Sequence, residues 1–214
     1  IGDSWRILND ITFRVGADGD PGVGAWTDAY TPSVTSQYNK AVIMDEFAGL
    51  DKGWNDPDML MVGMSGLTNI MCKTHFTMWC MMNAPLMLGL DLRRVKKGDD
   101  IWKIIANEDL IALNQDSLGI QAKRVFCSLS PERPDTEYVT DNDRVDILAK
   151  PLANGDVAIS FLNVILNIPQ NSGTRRYFRR FSISLSSDSQ MLQLSFYRSK
   201  WESRMRLSGE ARNS

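Results

Sequence analysis

The chain has 214 residues, 43% hydrophobic and 23% charged, enough to bury one large core or one and a half ordinary ones. No apolar run approaches the roughly 18 to 20 residues that cross a bilayer as a helix, so a membrane-spanning helix is excluded. The net charge of -2 hides a basic tail, nine basic residues against three acidic ones from Asn171 to Ser214; its arginines lack interleaved glycine or aromatic residues, which argues against a nucleic-acid partner.

The chain opens at Ile1 with neither a charged n-region nor an apolar h-region, and this start reads as a cut within a longer protein. Trp5 to Phe13 alternates in character, and the glycines between Gly16 and Gly24 predict a loop. Ser33 to Asn39 suits a helical turn, while Lys40 to Phe47 fits either strand or helix. Then comes Gly53-Trp54-Asn55-Asp56-Pro57-Asp58-Met59-Leu60, in which two carboxylates, an amide and an indole lead into an apolar run. Pro57 excludes helix before it and extends Asp56, which presents Asp58 at a strand or its edge. On spacing alone the same octet reads equally as a turn rich in turn-formers.

From Leu67 onward apolar residues recur at three and four, predicting a helix with one buried stripe, Thr68 as its N-cap and Pro85 as its stop. His75 lies in that stripe and reads as a core residue rather than a catalytic one. The methionine-rich stretch from Met78 to Met87 reads as core filling. Ala84 to Leu90 is a continuous apolar run of strand length, the pattern of a strand covered on both faces. Asp99-Asp100 caps a helix over Ile101–Ala106, and Asn107 separates it from another over Glu108–Asn114. Leu88 follows Asp58 by 30 positions, close to the roughly 30 residues per unit of a (β/α)8 barrel, whose chemistry sits at the carboxyl ends of its strands. Asp10 and Asp58 would both lie there.

After Gln121 the period changes to two. Asp146–Leu152 and Asp156–Leu162 flank Asn154-Gly155, predicting a β-hairpin with a type I′ turn in a β region that begins near residue 123. Ser182–Ser186 and Met191–Tyr197 could add strands. Cys72, Cys80 and Cys127 lack zinc-like spacing and read as buried, reduced thiols, which leans toward an intracellular setting without fixing it. No metal cluster or cofactor motif is visible.

Trp5-Arg6 with Asp10, the octet, Thr74 to Trp79, Ala84-Pro85-Leu86, Asp91-Leu92-Arg93 and Asn114 to Gly119 occur together and in order. This set resembles the carboxyl-terminal half of glycoside hydrolase family 27, the α-galactosidase family, over about residues 1–165. The resemblance implies an α/β fold: the last strands and helices of a (β/α)8 TIM barrel over 1–122, then an antiparallel β-sandwich portion over 123–214, with no family counterpart for the arginine-rich stretch beyond about 165. It implies a retaining glycosidase with a carbohydrate substrate. Asp10 matches the acid/base, Arg6 a sugar-hydroxyl contact, and Asp58 and Met59 the galactose pocket, with Trp5 supporting that wall. Retention needs two carboxyls about 5 Å apart. The family's nucleophile is expected upstream of residue 1, so residues 1–214 alone are expected to be inactive. An α-N-acetylgalactosaminidase, a β-L-arabinopyranosidase or a non-catalytic carbohydrate-binding homologue stays open, as does the oligomeric state.

Overall fold

A computed structural model describes residues 2–11, 32–64, 66–141, 143–164 and 194–197. The glycine-rich loop, the proposed strand at Ser182–Ser186 and the basic tail apart from 194–197 lie outside these residues. Strand β1 (Ser4–Arg6) pairs in parallel with β2 (Trp54–Asp56), and Arg6 stands opposite Asp56. Parallel neighbours require a crossover, and helix α1 (Val34–Ala41) lies between them in sequence. Ser33 caps α1 through a reciprocal hydrogen-bonded box with Ser36, and a 3-10 turn at Asp45–Phe47 follows. A second parallel step comes one unit later, where Leu60 donates to the Met87 carbonyl at 2.7 Å and accepts from the Gly89 amide at 2.9 Å.

The helix between these partners is α2 (Asn69–Met81), capped by the Thr68 hydroxyl on the Met71 amide. The expected single stripe is too narrow a description: from Thr74 to Met81 every residue is buried, because α3 (Asp100–Ile105), α4 (Glu108–Asn114), the 58–62 segment and the β region surround its second half. The helix ends at Met81, before Pro85 comes into play; Met82 is its C-cap, and Asn83 beyond it is left-handed with φ of 54°. The run from Ala84 to Leu90 makes only the one bridge and leaves Met87 and Leu88 partly exposed, rather than forming a strand covered on both sides.

A four-stranded antiparallel sheet starts at Lys123, in the order β3 (Lys123–Cys127), β4 (Val145–Pro151), β5 (Val157–Asn163) and β6 (Leu194–Tyr197). The β4–β5 hairpin differs from expectation at its tip. Leu152 and Asp156 close a three-residue loop, the Gly155 amide bonds the Leu152 carbonyl, and only Gly155 has positive φ, at 85°. A type I′ turn needs positive φ at both central residues; this is the longer loop that ends in a left-handed glycine.

Leu148, Ala158, Leu162 and Val164 join Trp79, Phe76, Met61 and Tyr38 in one apolar cluster. Charge crosses the same boundary: the Asp146 carboxylate accepts from Arg144 at 2.9 Å and from the Tyr38 hydroxyl at 3.0 Å, with Arg124 at 3.7 Å, all fully buried. Lys150 on β4 reaches the side chain of Asn83 and the carbonyl of Ile120. No helix among the described residues is long and apolar enough to cross a membrane.

Candidate active site

At the carboxyl end of β1, Arg6 extends toward two carboxylates that are 48 positions apart in sequence. Its guanidinium lies 2.9 Å from Asp10 and 3.1 Å from Asp58, and it also donates to the Leu8 carbonyl. The two acids differ in setting: the Asp10 side chain is 86% exposed, whereas that of Asp58 is 9% exposed. A shared cation at hydrogen-bonding distance holds the two on one side of the molecule.

Asp58 is fixed from every direction. One carboxylate oxygen accepts from the Ile11 amide at 2.6 Å as well as from Arg6, and the other accepts from the Met59 amide at 2.7 Å. Its own amide donates to the Asp56 carboxylate at 2.8 Å, so Asp56 serves the turn, as a carboxylate before proline commonly does. Its carbonyl accepts from the indole N–H of Trp79 at 2.8 Å. The backbone itself is left-handed, with φ of 79°, which is unusual outside glycine.

Met59 is 37% exposed beside it, with its sulfur packed over Gly89; a Cβ at that glycine would stand 2.6 Å from Sδ. Trp5 is half-buried, and its indole N–H donates to Asn55 at 3.0 Å. The Asn55 amide donates in turn to the Met44 carbonyl and to Gln121, so Trp5 is tied to the segment leading into the antiparallel sheet. Below the turn, His75 accepts from the Met61 amide at 3.0 Å and meets Trp79 edge to face. Burial drives the His75 pKa down to about 3, so the ring is a neutral acceptor and a core residue.

The structure thus gathers Arg6, Asp10, Asp58 and Met59, with Trp5 one strand residue before Arg6. Sequence reading missed Trp79 and Asn55 as supports. Asn55 carried a signal, an amide two residues before the proline, whereas Trp79, four residues after His75, has the spacing of ordinary helix packing. Among the described residues no group of three or more His, Cys, Asp or Glu could hold a metal ion.

A family model described as alpha galactosidase A matches residues 25–116. An alpha-galactosidase of Saccharomyces paradoxus is 36% identical over 170 residues, covering 76% of this chain and 34% of its own length. A putative alpha-galactosidase/melibiase of Bacteroides fragilis superposes with a TM-score of 0.59 at 33% identity, over 77% of this chain and 31% of that one. The alpha-galactosidase of Saccharomyces cerevisiae solved with raffinose gives 0.57 at 30% identity, over 80% and 41%. The chain spans about a third of the length of the curated relatives it matches, 34% in the first of them.

Proposed function

The chain belongs to the α-galactosidase family, glycoside hydrolase family 27, and from that premise we propose that it supplies part of a retaining α-galactosidase site. The substrates are terminal α-D-galactosyl residues of oligosaccharides or polysaccharides. Asp10 acts as acid and then base: its carboxyl protonates the glycosidic oxygen as the bond to the anomeric carbon breaks and a second carboxylate takes that carbon. The Asp10 carboxylate then accepts the proton of the water that releases the sugar. Arg6 and Asp58 hold sugar hydroxyls, Met59 packs on the ring, and Trp5 supports the wall. In this reading residues 1–122 are the last units of a (β/α)8 barrel, residues 123–214 contribute to a β-sandwich, and the nucleophile lies outside residues 1–214.

The observation that supports this reading best is the Arg6 guanidinium shared by an exposed Asp10 and a buried Asp58. An exposed carboxyl can meet a leaving oxygen and exchange protons with water, whereas a buried one already held by three donors is suited to a fixed contact. Two assays test it with a chromogenic α-galactoside. Residues 1–214 alone are expected to show no turnover, and turnover would overturn the assignment of the nucleophile. A chimera carrying residues 1–164 in place of the matching segment of the Saccharomyces paradoxus enzyme is expected to hydrolyse the substrate. In that chimera Asp10→Asn should lower kcat/KM by roughly 10²- to 10⁴-fold. Added azide should restore part of the rate by forming a galactosyl azide, since azide needs no general base. Full activity of the Asp10→Asn chimera would overturn the role of Asp10.

A further inference from the structure

The peptide between Asp58 and Met59 is held at both edges. Its N–H, from Met59, donates to the Asp58 carboxylate at 2.7 Å, and its C=O, from Asp58, accepts from the Trp79 indole at 2.8 Å. These bonds fix the plane of a peptide that follows a left-handed residue, a conformation disfavoured for a side chain with a Cβ. The rotation of this plane decides where the carboxylate points, because Asp58 Oδ1 follows the Met59 amide while Oδ2 meets Ile11 and Arg6. One helical turn before Trp79, His75 takes the Met61 amide, so two side chains of α2 grip the same segment from beneath. Trp79 is fully buried and its ring is edge-on to His75, so the indole cannot swing away from the carbonyl.

We propose that Trp79 is a positioning residue for Asp58: its indole N–H, bonded to the Asp58 carbonyl, holds the left-handed turn and thereby aims the carboxylate at Arg6 and the Ile11 amide, next to Asp10. This rests on the reading of Asp58 as a sugar-binding group. The role belongs to the single N–H of Trp79 and not to the volume of its ring. Without that donor, a buried carbonyl loses its partner and the peptide gains by turning over.

The test uses isotope-labelled residues 1–214 carrying benzothienylalanine at position 79, which keeps the ring shape and lacks the N–H, beside Trp79→Phe. The Met59 and Ile11 amide protons, now on a carboxylate, are expected to move upfield and to exchange at least about tenfold faster, while amides of the β4–β5 hairpin stay unchanged. Unmoved Met59 and Ile11 amides in the benzothienylalanine protein would overturn the proposal, and so would an equal change in all amides. D-galactose titrated into the chimera of residues 1–164 carrying the same substitutions separates the two levels of inference. Binding weakened roughly tenfold in both the benzothienylalanine protein and Asp58→Asn supports the proposal and the reading beneath it. Shifted amides with galactose binding unaffected in both variants uphold the positioning and overturn the sugar-binding role of Asp58 instead.

Discussion

Asp58 shows what a single residue demands of its surroundings. Its left-handed backbone is stabilised by five partners, from Asp56, Met59, Ile11, Arg6 and Trp79. The octet revealed that the position mattered, but not its conformation, because Pro57 restricts only the residue before it. Trp79 was hidden for a related reason: an apolar residue at helical spacing is normally read as packing, and the one polar atom of its ring leaves no trace in a hydrophobic pattern. His75, by contrast, was legible as core. Its pKa in the folded chain is pushed from 6.5 down to about 3 by burial, so the unfolded chain binds the extra proton first. Its stabilising contribution is present above pH 6.5 and is lost as pH falls toward 3, by up to about 1.4 kcal/mol per pH unit. Denaturant unfolding from pH 7 to pH 4 is therefore expected to show a steeper loss for the native chain than for His75→Gln, which retains an acceptor for Met61. Parallel profiles would remove His75 as the cause.

Among the elements, the Thr68 cap and the hairpin were the most readable, because they depend on local chemistry. Ser33, Thr68 and Asn107 each accept a backbone N–H of the helix they precede. Thr68→Ala should destabilise the protein by about 1 kcal/mol, measured by chemical denaturation. The hairpin lay where the alternation placed it, but its loop is one residue longer than the Asn-Gly pair suggested. That difference has a measurable consequence: Gly155→Ala should cost about 1 kcal/mol from the backbone alone, since nothing lies within 4 Å of the added Cβ. Asn154→Gly should also cost stability in the same measurement, because the Asn154 side chain accepts from the Asp156 amide at 2.9 Å. The stretch from Ala84 to Leu90 was misread because an apolar run cannot report what lies over it. Asp99 is a milder case: it stands at the N-cap of α3, yet its carboxylate takes the Lys96 amide rather than a helical one.

Across the whole molecule, the parallel and antiparallel parts are joined by a shared apolar cluster and by buried charge. Two arginines, a tyrosine hydroxyl and one carboxylate meet where α1 faces β3 and β4. Removing the carboxylate leaves two cations out of water without a counter-charge, so Asp146→Ala should destabilise by roughly 3–5 kcal/mol in equilibrium unfolding. Arg144 also holds the Asn39 side chain, and Lys150 that of Asn83, so the loss should loosen both parts together as one cooperative transition. None of this was readable from composition, because buried arginines and exposed ones are the same letters, and the alternation of β4 puts Asp146 and Lys150, a pair that ordinarily faces water, on the buried side with Leu148. Cys72, Cys80 and Cys127 are all free and buried, and burial raises each thiol's pKa, that of Cys80 to about 12. Since only the thiolate attacks a disulfide reagent, a coloured one should label the intact protein at the pace of its rare openings. The three sulfurs thus act as an internal clock for breathing of the core, readable without any engineered label and faster in Asp146→Ala than in the native chain.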